Sequence, residues 1–341
     1  MTLFLHFRHA LAIELRFSYR DRTGRVERVL LRHELRSRLP HELVRRPRTR
    51  LWEATAPRPD VDRLEYQFEL IHKQGGSEYV TDPENPLRAS GPWGDKSVLE
   101  LPGYEPPDWL EAKPVDPEGV EQVELPSRIL HARLPALLWA HPDADEDSPL
   151  LVVHDGPEYA EHSALPTLLA QLPPLRAALV GPVERNETYS ASARYARALV
   201  EEILPALPPA PLRVGVGASL GALALLHAHR RHPETFDALF LQSGSFFRRR
   251  DLHERWFPRF QRISRFVGSV LAGETRRPIP LAISCGTVED NLPSNLVLAE
   301  ALRAQGHEVD VHEFRDGHNW VAWRDDLHPR LAELIDRATT R

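Results

Sequence analysis

The sequence predicts two domains, a small antiparallel β-sandwich followed by an α/β domain built on a mostly parallel sheet covered on both faces. Three observations carry this expectation. Up to about residue 101 the apolar runs are short, alternating and separated by turn residues. From about residue 123 continuous apolar stretches alternate with helical periods, the pattern of strands buried on both sides. Between them lies LPGYEPPDWLEAKPVDPEGVEQ, rich in proline and acid and unable to sustain a central strand. The expected division is a β domain over 1–104, a linker over 105–122 and a second domain over 123–341. A chain of 341 residues is itself long for one core.

In the first part ALAIELRFSY, VERVLL, LWEAT, LEYQFELI and SVLEL read as strands, with turns at DRTG, APRPD and KQGG. RRPRTR at 45–50 is short and interrupted by proline, and reads as a loop. In the second part RILHARLPALLWA reads as a strand pair and PLLVVHDG as a buried strand ending in a turn. SALPTLLAQL is helical, RAALVGPV a strand and ASARYARALVEEILPAL a helix. RVGVGA, FDALFLQSGS, PLAISCG and EVDVHEF follow as strands, with LGALALLHAHRRH and LVLAEALRAQG as helices among them.

Composition excludes several classes of function. A net charge of −6 is opposite to what a phosphate-backbone binder needs, so no nucleic-acid partner is expected. No stretch approaches the roughly 18 apolar residues of a membrane span, and MTLFLHFRHA lacks the apolar core of a secretory signal. The single cysteine, Cys285, has no internal partner, which fits a reducing compartment and a cytoplasmic protein. HAHRRH at 227–232 lacks the i, i+4 histidine pair of a helical metal site, and no metal or organic cofactor is expected.

Chemistry is concentrated in the second part. Gly217-Ala218-Ser219-Leu220-Gly221 is a G-x-S-x-G between a strand and a helix. A sharp turn there forces the serine into strained dihedrals, and the flanking glycines relieve the crowding. The helix that starts at Leu220 aims free N–H groups at a developing oxyanion, so the Leu220 amide is one expected donor. A serine nucleophile needs a base and an acid, in the chain order Ser, acid, His. His318, in FRDGHNW just past the last strand, is the expected base. The acid falls in TVEDN, after PLAISCG, where Glu289 and Asp290 compete on equal terms. A second oxyanion donor is expected in VVHDGPEY; Pro157 has no N–H, which leaves Gly156, Glu158 or Tyr159.

The stretches VVHDGPEY, ERNETYSASARYARALVEEILP, VGVGASLGALALLHAHRRHPETFDALFLQSGSFF, CGTVEDN and FRDGHNWVAWRDDL resemble the enterochelin esterase (Fes-like, esterase D-type) family of α/β-hydrolases. This covers about 123–330. The first part resembles that family's N-terminal immunoglobulin-like sandwich, through LWEATAPRPDVDRLEYQFEL and TDPENPLRASGPWGDKSVLELP. The resemblance implies Ser219 as nucleophile, His318 as base and, by the G-x-x-E spacing from Gly286, Glu289 as acid. It also places Arg185 and Glu187 near the pocket. Ala222, Asp316 and Pro157 depart from the family pattern. The implied activity is hydrolysis of a small-molecule carboxylic ester of siderophore or related type. An acyltransferase with the same triad and a non-catalytic binding protein with a decayed site are the alternatives. Arg185, Tyr159 and Trp320 are the expected substrate-binding residues. FFRRRDLHERWFPRFQRI, with Arg248–Arg250, reads first as a solvated arginine-rich surface segment and second as a pocket cap.

Overall fold

The computed structural model describes residues 14–35, 39–115, 119–273 and 277–340. The chain divides after Tyr104 into two compact units.

The first unit is antiparallel. Its strands are β1 (Glu14–Arg20), β2 (Val26–His33), β3 (Glu42–Arg45), β4 (Leu51–Pro57), β5 (Arg63–His72), β6 (Ser77–Val80), β7 (Arg88–Ala89) and β8 (Lys96–Glu100). They pair in the order β1-β4-β3-β2-β5-β8-β7, with β6 also on β5. Phe17, Val29, Leu31, Leu43, Tyr66, Phe68 and Leu70 form its buried interior. The β3 and β6 segments, ELVR and SEYV, escaped the sequence reading because they are polar; in β3 only Leu43 is buried. Pairing with an apolar neighbour, not their own periodicity, makes them strands.

The second unit holds the strands β9 (Val120–Ser127), β10 (Ala132–Ala140), β11 (Leu150–His154), β12 (Arg176–Val180), β13 (Arg213–Ala218), β14 (Ala238–Gln242), β15 (Pro280–Gly286) and β16 (Glu308–Phe314). Its helices are α1 (Gly156–His162), α2 (Leu165–Leu169), α3 (Arg185–Thr188), α4 (Ala193–Ala198), α5 (Leu220–Arg231), α6 (Phe260–Ala272), α7 (Leu292–Ala304), α8 (Trp320–Asp326) and α9 (Arg330–Thr339). The sheet order is β16-β15-β14-β13-β11-β12-β10-β9. β11 through β16 run parallel, and β10 joins β12 antiparallel. Alternate residues of β11 feed two separate apolar clusters. Leu150 and Val152 pack with residues of α4 to α7, Leu151 and Val153 with residues of α1, α2 and α9.

Two expectations are corrected here. The stretch expected to be a linker falls within the second unit, where Trp109 is buried in the core and its carbonyl accepts from Gln171 Nε2 at 2.9 Å, while residues 116–118 lie outside the described residues. Pro107 and Asp108 open a short 3-10 helix, Asp108–Glu111, that carries the indole inward. The strand pair read into RILHARLPALLWA is instead β9 with β10, and residues 128–130 lie in the turn between them. β9 is a polar edge strand that tolerates Pro126, which disguised it.

His154, His227 and His229 are among the buried histidines of this unit. Burial depresses them to about 4, about 3 and about 4 respectively, so they fold as neutral rings. Unfolding releases them to the ordinary value near 6.5, and the unfolded chain then binds more protons at mildly acid pH. Stability contributed by the neutral rings is therefore intact above about pH 6.5 and is lost as the pH falls toward 4. Thermal melts at pH 7, 6 and 5 should show a steep fall in Tm; a flat Tm over that range contradicts the assignment.

Candidate active site

The strand order reverses at β11, whose neighbours are β12 and β13. In open parallel sheets the segments leaving the carboxyl ends of the strands at such a reversal diverge, and ligands bind between them. The residues singled out by the sequence follow the carboxyl ends of β11, β12, β13, β15 and β16.

After β13 the chain turns directly into α5 through Ser219, at φ 56° and ψ −119°. This left-handed conformation is strained for a residue with a side chain. The glycines make it possible: a Cβ on Gly217 would stand 2.9 Å from the Gly221 carbonyl carbon, and one on Gly221 3.1 Å from Asp155 Oδ2. The Ser219 N–H donates to the Gln242 carbonyl at 2.8 Å, which ties the elbow to β14. Ser219 Oγ lies 3.2 Å from Ser245 Oγ. Leu220 opens α5, where amides have no acceptor four residues back in the helix.

The expected acid and base meet. His318 Nδ1 is 2.7 Å from Glu289 Oε2. The Glu289 side chain is 2% exposed, whereas Asp290 is an exposed residue. The other oxygen, Oε1, accepts from Ser243 Oγ at 2.7 Å and from the Gly286 N–H at 2.8 Å. Gly286 is obligatory here, since a Cβ would lie 2.2 Å from the Asp316 carbonyl oxygen. Asp316, a departure from the family pattern, has a local task. Its Oδ1 accepts from the Gly317 N–H at 2.6 Å and from Asn319 Nδ2 at 2.9 Å, and Asn319 caps α8 through the Ala322 N–H. His318 thus leaves a loop braced on both sides.

The expected oxyanion and binding residues fare unevenly. Of the three amides left open after β11, that of Tyr159 donates to the Asp155 carbonyl at 3.0 Å. The Glu158 carboxyl is half-buried, and burial pushes its pKa up. The amides of Gly156 and Glu158 remain as candidates, with Gly156 packed so closely on β12 that a Cβ would meet the Leu179 carbonyl carbon at 2.1 Å. Tyr159 is corrected as a substrate-binding residue: it is 0% exposed and its hydroxyl donates to Gln242 Oε1 at 2.7 Å. Three positions past Gly156 it faces the core. Trp320 is partly buried and packs edge-on against Tyr159 and Trp323. Arg185 clamps Asp155 with Nε and Nη2, both at 2.7 Å, and Glu187 accepts from Arg259 and Arg262. Below the elbow, His154 approaches the Gly221 carbonyl through Nδ1 at 3.1 Å and the Tyr195 hydroxyl through Nε2 at 2.8 Å. A carbonyl only accepts, so Nδ1 carries the proton and Tyr195 donates to Nε2.

Residues 181–334 match the Esterase family model, described as "Putative esterase". The iron(III) enterobactin esterase of Dickeya dadantii (strain 3937) is 27% identical over 281 residues, covering 71% of this chain and 62% of that protein. The iron(III) enterobactin esterase of Escherichia coli O6:H1 (strain CFT073) is 26% identical over 307 residues, covering 82% and 72%. Among solved structures, the enterobactin esterase FES from Shigella flexneri in the presence of enterobactin superposes with a TM-score of 0.76 at 23% identity, covering 95% of this chain and 93% of that one. The chain is thus similar to the iron(III) enterobactin esterases over most of its length, and it spans under two thirds of the Dickeya relative. Its fold, an α/β sheet unit preceded by an antiparallel β unit, matches that of the solved enterobactin esterases.

Ser243 and Trp323 are parts of the site that the sequence reading leaves out. Trp323 Nε1 donates to Ser243 Oγ at 2.9 Å, and its ring stands edge-on to His318 at 4.9 Å. The only signal was the Q-S-G at the end of β14, which reads equally well as a turn. The segment after Phe247 is a loop with the short helix Leu252–Glu254, and α6 begins only at Phe260. A cleft of 940 Å³ there is lined by Trp256, Phe257 and five arginines, Arg249, Arg255, Arg259, Arg262 and Arg265. Among the described residues no group of three or more histidines, cysteines or carboxylates is arranged to hold a metal ion, and no helix is long and apolar enough to cross a membrane.

Proposed function

We propose that this chain is a serine esterase that hydrolyses a small-molecule carboxylic ester of siderophore type. The reading is carried by one observation. A serine strained into an elbow at the sheet's switch point shares its sheet edge with a histidine bonded to a buried carboxylate. Bonding of Nδ1–H to Glu289 leaves Nε2 as the basic nitrogen, the tautomer a general base requires. Ser219 Oγ attacks the ester carbonyl carbon while His318 Nε2 takes its proton. The tetrahedral oxyanion is met by the amide of Leu220 and by that of Gly156 or Glu158. Collapse expels the alkoxide, which receives the proton from His318; water, deprotonated by the same nitrogen, then releases the carboxylic acid and restores Ser219. Arg185 holds the Asp155–Gly156 turn in place rather than gripping substrate.

We read the second unit as an α/β-hydrolase domain with a mostly parallel sheet covered on both faces, and the first as an immunoglobulin-like sandwich. The siderophore preference is supported by the relatives named iron(III) enterobactin esterase. The test is turnover of enterobactin against a short aryl ester, with labelling by a fluorophosphonate probe. Labelling and faster cleavage of enterobactin are expected. Absence of both labelling and ester turnover overturns the esterase reading, and turnover of the aryl ester alone overturns the siderophore preference.

A further inference from the structure

Ser243 lies at the carboxyl end of β14, is 0% exposed and adopts φ 48°. Its backbone is held from both sides, its N–H donating to the Ser284 carbonyl at 2.6 Å and its carbonyl accepting from Asn291 Nδ2 at 2.8 Å. Its side chain has a determined hydrogen-bond direction. Trp323 Nε1 is a donor only, so Ser243 Oγ accepts there. Glu289 Oε1 lies 2.7 Å away on the other side, and the single hydroxyl proton goes to it. Together with the Gly286 N–H, this gives Oε1 two donors while Oε2 faces His318.

We infer that Ser243, oriented by Trp323, is a positioning residue of the catalytic acid: it fixes the plane of the Glu289 carboxylate and so aims Oε2 at His318. The inference rests on the esterase reading above. A carboxylate bonded through one oxygen alone can turn about its terminal torsion, which is broad and soft. Donors on the second oxygen remove that freedom before the reaction begins, and orientation errors of about 1 Å cost on the order of 10²-fold in rate. Four segments converge through this contact, the ends of β14 and β15, the loop after β16 and helix α8. Ser243 is buried, so its effect passes through Glu289 and not through contact with substrate. The neighbouring Cys285 thiol is also buried, and burial pushes its pKa well up, so it adds no competing charge beside the carboxylate.

The test compares Ser243→Ala, Ser243→Gly and Trp323→Phe with the unaltered protein, by steady-state hydrolysis of an aryl ester and by the low-field proton resonance of His318 Nδ1–H, assigned through its loss in His318→Gln. Glycine is at ease at φ 48°, so a defect shared by the Ala and Gly variants comes from the hydroxyl and not from backbone strain. The expected result is a kcat lowered about 10- to 100-fold in both Ser243 variants with KM within about twofold, a smaller loss in Trp323→Phe, and a shifted or broadened resonance in all three. Unchanged kcat, or a fall in kcat with an unshifted resonance, overturns the inference. The resonance reads the Glu289–His318 contact without substrate. A protein that cleaves no ester but shows the shift therefore overturns the esterase reading while the positioning role stands.

Discussion

Ser219→Ala should lower ester turnover by on the order of 10⁴- to 10⁶-fold, the loss seen when a triad nucleophile is removed and only binding and oxyanion contacts remain. Fluorophosphonate labelling should vanish with it. The fold should be unaffected, because the elbow is held by backbone contacts, the Ser219 N–H on the Gln242 carbonyl and its own carbonyl accepting from the amides of Leu223 and Ser245. Ser219→Gly should be equally inactive and more stable. Glycine is unstrained at φ 56°, and relief of a positive φ is worth ~1 kcal/mol or more. Inactivity paired with a raised Tm separates a strained functional residue from a turn filler. Substantial turnover by either variant would contradict the assignment.

Glu289→Gln should lower kcat by about 10³- to 10⁴-fold while Asp290→Asn stays within about threefold. The size of the first effect follows from the donors around the carboxylate. Ser243 Oγ and the Gly286 N–H both point at Oε1, so the carbonyl oxygen of a glutamine settles there and its NH₂ turns toward His318. Facing a donor, the imidazole shifts its proton to Nε2 and can no longer accept one from Ser219. Asp290 is exposed, and its side chain can lose its charge at little cost. Steady-state kinetics on both variants decide the matter; a damaging Asp290→Asn would reassign the acid.

Much of this was legible in the sequence for physical reasons. The serine elbow is a largely local feature: strand, two glycines and helix are contiguous, and the steric demand on Gly217 arises within nine residues, although that on Gly221 comes from His154 and Asp155. The histidine follows from chain order and from its loop after the last apolar strand. The acid is different. Residues 289 and 290 are both carboxylates in one turn, and only the path of that turn, with Gly286 pressed against the Asp316 carbonyl, sends one inward and the other to solvent. The resemblance to a family favoured Glu289, but chemistry at the level of residues left a tie.

The same distinction explains the errors. Tyr159 is expected in the substrate site, yet a helix starts at Gly156 and the third residue on is buried in the core. The proline-rich segment read as a linker because prolines exclude central strands, while one buried tryptophan binds it to the second unit. What the sequence by itself determined was whatever short-range chemistry dictates: alternation, apolar runs, the strained turn and the order of nucleophile, acid and base. What only the tertiary structure decided was which side chain of an adjacent pair faces inward, which amide is already engaged, and that Ser243 and Trp323, 80 residues apart, share a hydrogen bond behind the acid. Contacts of that range are set by how the sheet and helices pack, and no local pattern encodes them.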